Sequence, residues 1–229
     1  MEGRTASYIT SLESFLEIIK INKFSTFQIC NAEKSIIPDF VQDLASVYQY
    51  PKKLCLINKD KKEIKTNKKY QAILSINSLQ NQLDIISYLK IVSDHLDDKG
   101  YFFGSLPDKR YNEYHFVNET EISEVLGNHE ESSKIPTLKT VVKANSYVTH
   151  NDAMRHWLKD HGYPKILENT YVVQRSITDF RKSSKNNKYP ECVCNYFTPE
   201  SFVEIIDLLG ELNIIDLKVL RIYQTTHGK

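Results

Sequence analysis

The sequence predicts an α/β fold in which an open, mostly parallel sheet carries helices on both faces. Two strand-helix-strand units carry that reading. In the clearer unit "YQAILSI" (70–76) is an apolar run of buried-strand type, and "LDIISYLKIVSDHL" (83–96) sets apolar residues at helical spacing. There "DDKG" (97–100) reads as a turn and "YFFGSL" (101–106) as the returning strand. Strand, helix and strand in that order need a parallel crossover. Two crossovers in one chain call for a sheet sandwiched by helices.

The other elements follow in order. "SLESFLEIIK" (11–20) places Leu12, Phe15, Leu16 and Ile19 on one helical face. "FSTFQIC" (24–30) reads as a strand, "IIPDFVQDLASVYQY" (36–50) as a helix with proline in its first turn, and "KLCLIN" (53–58) as a strand. The basic run 59–69 reads as a loop. Residues 107–190 are polar and helical by pattern, without a good strand, which marks a helical insertion. "FTPESFVEIIDLLGELN" (197–213) then offers Thr198 as N-cap, Pro199 at the first helical position and Glu200 in the first turn. "IDLKVLRIYQT" (215–225) supplies a last strand. The whole, 1–229, reads as one domain.

Thirty basic against twenty-nine acidic side chains leave a formal charge of +1, so no global field argues for nucleic acid or for a membrane surface. No apolar run is long enough to span a bilayer, and the amino terminus lacks a signal-like apolar core. The four cysteines form no CxxC pair, which favours buried, reduced thiols over a disulfide or zinc site. A soluble, cytoplasmic protein is expected.

In such a sheet ligands bind beyond the carboxyl ends of the strands, at the loops 30–35, 58–62, 77–84 and 106–115. The first loop, "CNAEKS", holds no glycine to let backbone N–H groups approach a nucleotide. The last, "SLPDKRYNEYH" (105–115), presents Asp108, Lys109 and Arg110, an acid beside two cations. This trio suits a polar substrate or a phosphate held bidentately by Arg110, and equally a solvated turn.

"YVTHNDAMRHWLKDHGY" (147–163) gathers three histidines and the single tryptophan. Thr149 and Asp152 suit a capping arrangement and Gly162 a left-handed stop, predicting a helix over about 150–160. At about 100° per residue, His150 and His156 stand about 240° apart and His156 and His161 about 140° apart, so one helix does not aim all three at one ion. No metal is expected. Asp152, His156 and Asp160 do align, with Asn151 and Arg155 in the adjacent row. A histidine between carboxylates is the arrangement of a general base, and also of an ordinary surface ion-pair row.

These segments resemble class I S-adenosylmethionine-dependent methyltransferases, and more narrowly the methyltransferase-like proteins of bacterial surface-polysaccharide gene clusters. The likeness lies in "PDKRY" (107–111), in "THNDAMRHWLKDHG" (149–162) and in "FTPESF" (197–202), and it covers 70–229. It implies a Rossmann-like, methyltransferase-type sheet with a shortened amino-terminal half and a helical insertion, 107–190, before the last helix and strand. It further implies a transferase acting on a sugar or sugar-phosphate, with His150 or His156 as base and Asp152 orienting it. Asp108, Lys109, Arg110, Asn151 and Arg155 would bind the acceptor, and Asn31, Asn77 and Gln80 the cofactor, S-adenosylmethionine. Other glycan-assembly enzymes are the partners it suggests. Gln80 and Asn81 replace the family's strand-end Glu-His, however, and the glycine loop is absent. That departure opens the alternative of a non-catalytic pseudo-methyltransferase that binds a glycan or a partner enzyme.

Overall fold

The computed structural model describes Phe15 and residues 17–19, 21–24, 27–31, 69–132, 135–186 and 192–225. Within these the fold is mixed, with a parallel three-stranded sheet and helices. The strands β1 (Phe27–Asn31), β2 (Tyr70–Ile76) and β3 (Leu96–Ser105) lie side by side in sequence order. Residues 70–76 form a strand over the span predicted, while the helix expected at 36–50, the strand at 53–58 and most of the basic run lie outside the described residues.

Pairing fixes which side chain faces which layer. Ile73 opposes Phe102 and Leu74 opposes Phe103, and successive side chains on a strand point to opposite faces. Ile73 and Phe102 join the main core with Leu79, Ile86 and Leu89, whereas Phe103 meets Phe15 edge-on at 5.0 Å. Phe15, residues 17–19 and Ile21 are helical, so this segment lies on the face of the sheet opposite α1 (Ile85–His95). Helices therefore cover both faces. Burying each such Leu, Ile or Phe side chain contributes about 1.5–3 kcal/mol.

Two expectations fail. The turn predicted at 97–100 is an irregular part of β3: Tyr70 pairs with Leu96 and Ala72 with Tyr101, so five steps on β3 meet two on β2 and three residues bulge. Gly100 permits this, because a Cβ there would stand 2.9 Å from Leu96 Cδ2 and 3.1 Å from the Tyr70 carbonyl oxygen. The strand predicted at 215–225 has no ladder among the described residues. Ile215 is buried, and Leu217 and Val219 pack on the core directly, so their alternation is satisfied without an edge to pair with.

After β3 come α2 (Ile122–Glu130), α3 (Leu138–Ser146), α4 (Ala153–Trp157), α5 (Lys165–Glu168) and α6 (Tyr171–Lys185), so the described part of 107–190 is helical with no strand. α7 (Pro199–Glu211) closes the core with Ile205, Ile206 and Leu209, and Thr198 caps it by accepting from Ser201 N at 3.2 Å. No helix among the described residues is long and apolar enough to cross a membrane.

Candidate functional site

Two loops that are far apart in sequence meet beside the sheet. The first leaves β3 through Leu106 and Pro107 and turns on Asp108. Its carboxylate accepts from Arg110 N at 3.0 Å and takes the Arg110 guanidinium side-on, Nε at 3.0 Å and Nη2 at 2.7 Å. Thr225 Oγ1 donates to the same carboxylate at 2.6 Å, and Lys109 N donates to the Phe197 carbonyl at 3.0 Å. The turn is thereby anchored to the carboxyl-terminal segment. Lys109 Nζ reaches forward to the His115 carbonyl at 3.0 Å, while the His115 ring donates Nδ1–H back to the Arg110 carbonyl at 3.0 Å. Residues 108–115 thus form a hydrogen-bonded hook with His115 at its end.

The hydrogen bond to Asp108 raises the pKa of the Arg110 guanidinium, against burial. Burial is the largest influence on Lys109 and lowers its pKa, although Glu119 and Asp108 oppose it. Glu200 stands 3.5 Å from Arg110 Nη1. The expected acceptor-binding trio is therefore already engaged in building the hook.

The second loop, 149–162, is tied to the first by Thr149 N, which donates to the Glu113 carbonyl at 2.9 Å. The helix expected over 150–160 is cut to α4, five residues long. Asp152 is its N-cap, accepting from Met154 N at 3.0 Å and Arg155 N at 3.2 Å. It stops at Lys159, not Gly162. Lys159 takes φ 66°, and the bonds Asp160 N to Arg155 O (2.9 Å) and Lys159 N to His156 O (3.0 Å) make a Schellman closure. The Asp152-His156-Asp160 stripe is consequently not formed: Asp152 caps, and Asp160 lies past the helix holding Arg155 Nε at 2.8 Å.

Side chains then draw the loop shut. Thr149 Oγ1 donates to the His161 carbonyl at 2.6 Å. His150 donates Nε2–H to the Asp160 carbonyl at 2.9 Å and accepts from Asp152 N at 3.3 Å, so both its nitrogens are used. Gly162, at φ 63°, lies so close that a Cβ would stand 2.7 Å from Thr149 Oγ1. Trp157 stacks on Tyr111 with centroids 4.5 Å apart, fastening α4 to the hook.

What this closure surrounds is a histidine cluster. His156, 1% exposed, donates Nε2–H to the His150 carbonyl at 2.9 Å, which leaves Nδ1 as a bare acceptor. That Nδ1 lies 3.0 Å from Nδ1 of His161, and the His161 ring stacks on His115 at 3.5 Å, 9° from parallel. One ring nitrogen from each of His115, His156 and His161 lies within 4.8 Å of the others. Burial pushes the pKa of His156 down, and the neighbouring histidines His150 and His115 push the same way against its bond to the His150 carbonyl. His161 is also pushed down by burial, then by His115, His156 and His150. Both shifts favour the neutral form of the ring.

Of the residues singled out in the sequence, His150, Asp152, His156 and Arg155 meet in this loop, with Asn151 exposed beside them. His115 was overlooked as a partner, although it ends the 105–115 loop quoted above. The cofactor candidates lie elsewhere, at the strand ends. Asn31 closes β1, Asn77 holds φ 46° and donates N–H to the Ser105 carbonyl, and Gln80 is buried with Oε1 lacking a partner among the described residues. Two depressions, of about 360 and 440 Å³, are lined by Lys90, Asp94 and Asn213–Asp216 and by Lys69 and Asp97–Lys99, and neither includes a histidine of the cluster.

No family model, curated protein or solved structure matches the chain.

Proposed function

We propose that the chain is a cytoplasmic, methyltransferase-like transferase on a Rossmann-like scaffold, acting on a sugar or sugar-phosphate in bacterial surface-glycan biosynthesis. The observation that carries the proposal is that two segments, the loop 105–115 that holds the 107–111 motif and the motif 149–162, converge on one cluster of histidines. The bonds set a relay. The His150 carbonyl fixes Nε2–H on His156, His156 Nδ1 accepts Nδ1–H from His161, and His161 Nε2 is left without a partner among the described residues. His161 Nε2 is therefore the proton acceptor for a substrate hydroxyl, with His156 positioning it and His150 and Asp152 holding the loop. S-adenosylmethionine, when bound, would supply the methyl group. At the strand ends Asn31, Asn77 and Gln80 would hold that cofactor, and the proton of the acceptor hydroxyl would pass to Nε2 of His161.

Gln80 supports a cofactor at the strand ends. Its buried Oε1, without a partner among the described residues, costs about 1–3 kcal/mol unless a donor such as a ribose hydroxyl meets it. A different observation favours the non-catalytic reading: Cys194 N and Asn195 N both donate to the Gln80 carbonyl, and Asn195 Nδ2 donates to the Gln82 carbonyl, so segment 194–195 already sits against the end of β2.

Titration calorimetry with S-adenosylmethionine separates the two. Micromolar binding supports methyl transfer and removes the pseudo-enzyme reading, whereas no binding at millimolar concentration removes methyl transfer. In an active preparation His161→Gln should lower turnover by about a hundredfold or more, the usual weight of a general base.

A further inference from the structure

We propose that His115, His156 and His161 form a binding site for a divalent first-row transition ion of the zinc type. The proposal goes beyond the transferase reading and does not depend on it; an ion held there would take His161 out of the role of base, because its Nε2 then carries the proton. Three imidazoles, drawn from two loops, each place a nitrogen within 4.8 Å of the other two. Imidazole without thiolate or carboxylate suits zinc, copper or nickel rather than magnesium or calcium. Three histidines with the fourth position left to water is a recurring set for zinc that does chemistry.

The surroundings are those of ligating histidines. Such residues characteristically donate their second ring N–H to a carbonyl, which fixes the tautomer and aims the other nitrogen. His115 does this through Nδ1–H to the Arg110 carbonyl at 3.0 Å, and His156 through Nε2–H to the His150 carbonyl at 2.9 Å. Nε2 of His115 and Nδ1 of His156 are left bare. Each carbonyl belongs to a chain segment that is itself held: Lys109 Nζ grips the His115 carbonyl, and His150 is clamped between Asp152 N and the Asp160 carbonyl.

Loading requires two local changes. The proton between His156 and His161 moves from Nδ1 to Nε2 of His161, so that both Nδ1 atoms face the ion and no net proton is lost. The parallel His115 and His161 rings splay, because the lone pairs of stacked rings do not converge on one atom. Trp157, on the same short helix as His156 and stacked on Tyr111 of the hook, is placed to report the change.

The test is cobalt(II) titration of chelator-treated full-length protein, followed by visible absorption, with zinc added last to displace the cobalt. One cobalt per chain with the intense absorption of a tetrahedral site, bleached by zinc, is expected. His115→Gln and His161→Gln, both at part-buried positions, should each weaken binding at least tenfold while circular dichroism shows the metal-free variant still folded. His129→Gln, a histidine paired with Asp84 away from the cluster, should bind as the parent does. Absence of a tetrahedral spectrum at saturating cobalt, or parental affinity in both His115→Gln and His161→Gln, would overturn the assignment. Calorimetry with S-adenosylmethionine is read separately, so failure of one proposal leaves the other intact.

Discussion

The Nδ1 atoms of His156 and His161 lie 3.0 Å apart, and because His156 carries its proton on Nε2, the proton between them belongs to His161. The loop 149–162 closes around this pairing. Thr149, His150, Asp152, Arg155, Asp160 and Gly162 each make a contact that closes the loop around it.

Gly162→Ala should destabilise the protein by about 2–3 kcal/mol. Left-handed backbone costs a non-glycine residue about 1–2 kcal/mol, and the new methyl would displace the Thr149 hydroxyl from its bond to His161, worth about 1 kcal/mol more. Denaturant melts would show it. Gly127→Ala, in helix α2 where a Cβ meets nothing within 4 Å, should instead stabilise by about 0.5–1 kcal/mol.

Asp108→Ala removes the acceptor shared by Arg110 and Thr225, at a cost of about 1–3 kcal/mol. Loss of the Thr225 bond frees the end of the 215–225 segment. Limited trypsin digestion should then cut first at Lys218 or Arg221, whereas the parent should resist there. An unchanged digestion pattern would mean that Asp108 does not anchor the segment.

Tyr111→Leu should cost about 0.5–1.5 kcal/mol by removing the ring stacked on Trp157. Since the chain has a single tryptophan, its emission reports on the surroundings of this one ring. A red shift in the variant is expected, and an unchanged spectrum would argue that α4 is not docked on the hook.

Asp84 predicts the acid limb of stability. It caps α1, accepting from Ser87 N at 2.9 Å and Ser87 Oγ at 2.6 Å, and it pairs with His129 at 3.1 Å. Burial alone would raise its pKa, but these bonds outweigh burial and hold it below the ordinary value of 3.8. The folded carboxylate is thus the weaker proton binder, so its stabilisation is complete above the unfolded pKa and disappears as pH falls through the folded one. Asp84→Asn keeps the cap but loses the charge at the helix N-terminus and beside His129, so it should be less stable near neutrality by about 0.3–1 kcal/mol and show a shallower decline in acid. Parallel pH curves for parent and variant would contradict this.

Periodicity revealed β2, α1 and α7 because each buries its own apolar pattern on one core, so local sequence and tertiary packing agree. It misread 215–225 because alternation shows which side chains are buried and not whether a neighbouring strand is there to pair. The bulge at 97–100 hid for a related reason: a Gly-containing polar run looks like a turn whether or not it stays at the sheet edge. In the histidine segment Asp152 was legible as a cap, but Lys159 in left-handed backbone is not a sequence signal, and it ended the helix three residues before the expected glycine. That early stop brought His161 back over His156. His115 comes from a loop more than thirty residues upstream, and no helical-wheel argument reaches it.

The most direct test is the two-bond proton–nitrogen NMR spectrum of histidine-labelled, metal-free protein at neutral to mildly alkaline pH, with His156→Gln and His161→Gln supplying the assignments. His156 should be protonated on Nε2 alone and His161 on Nδ1 alone, its Nε2 bare. A His161 ring carrying its proton on Nε2, or doubly protonated, would contradict the relay and with it the role given to the cluster.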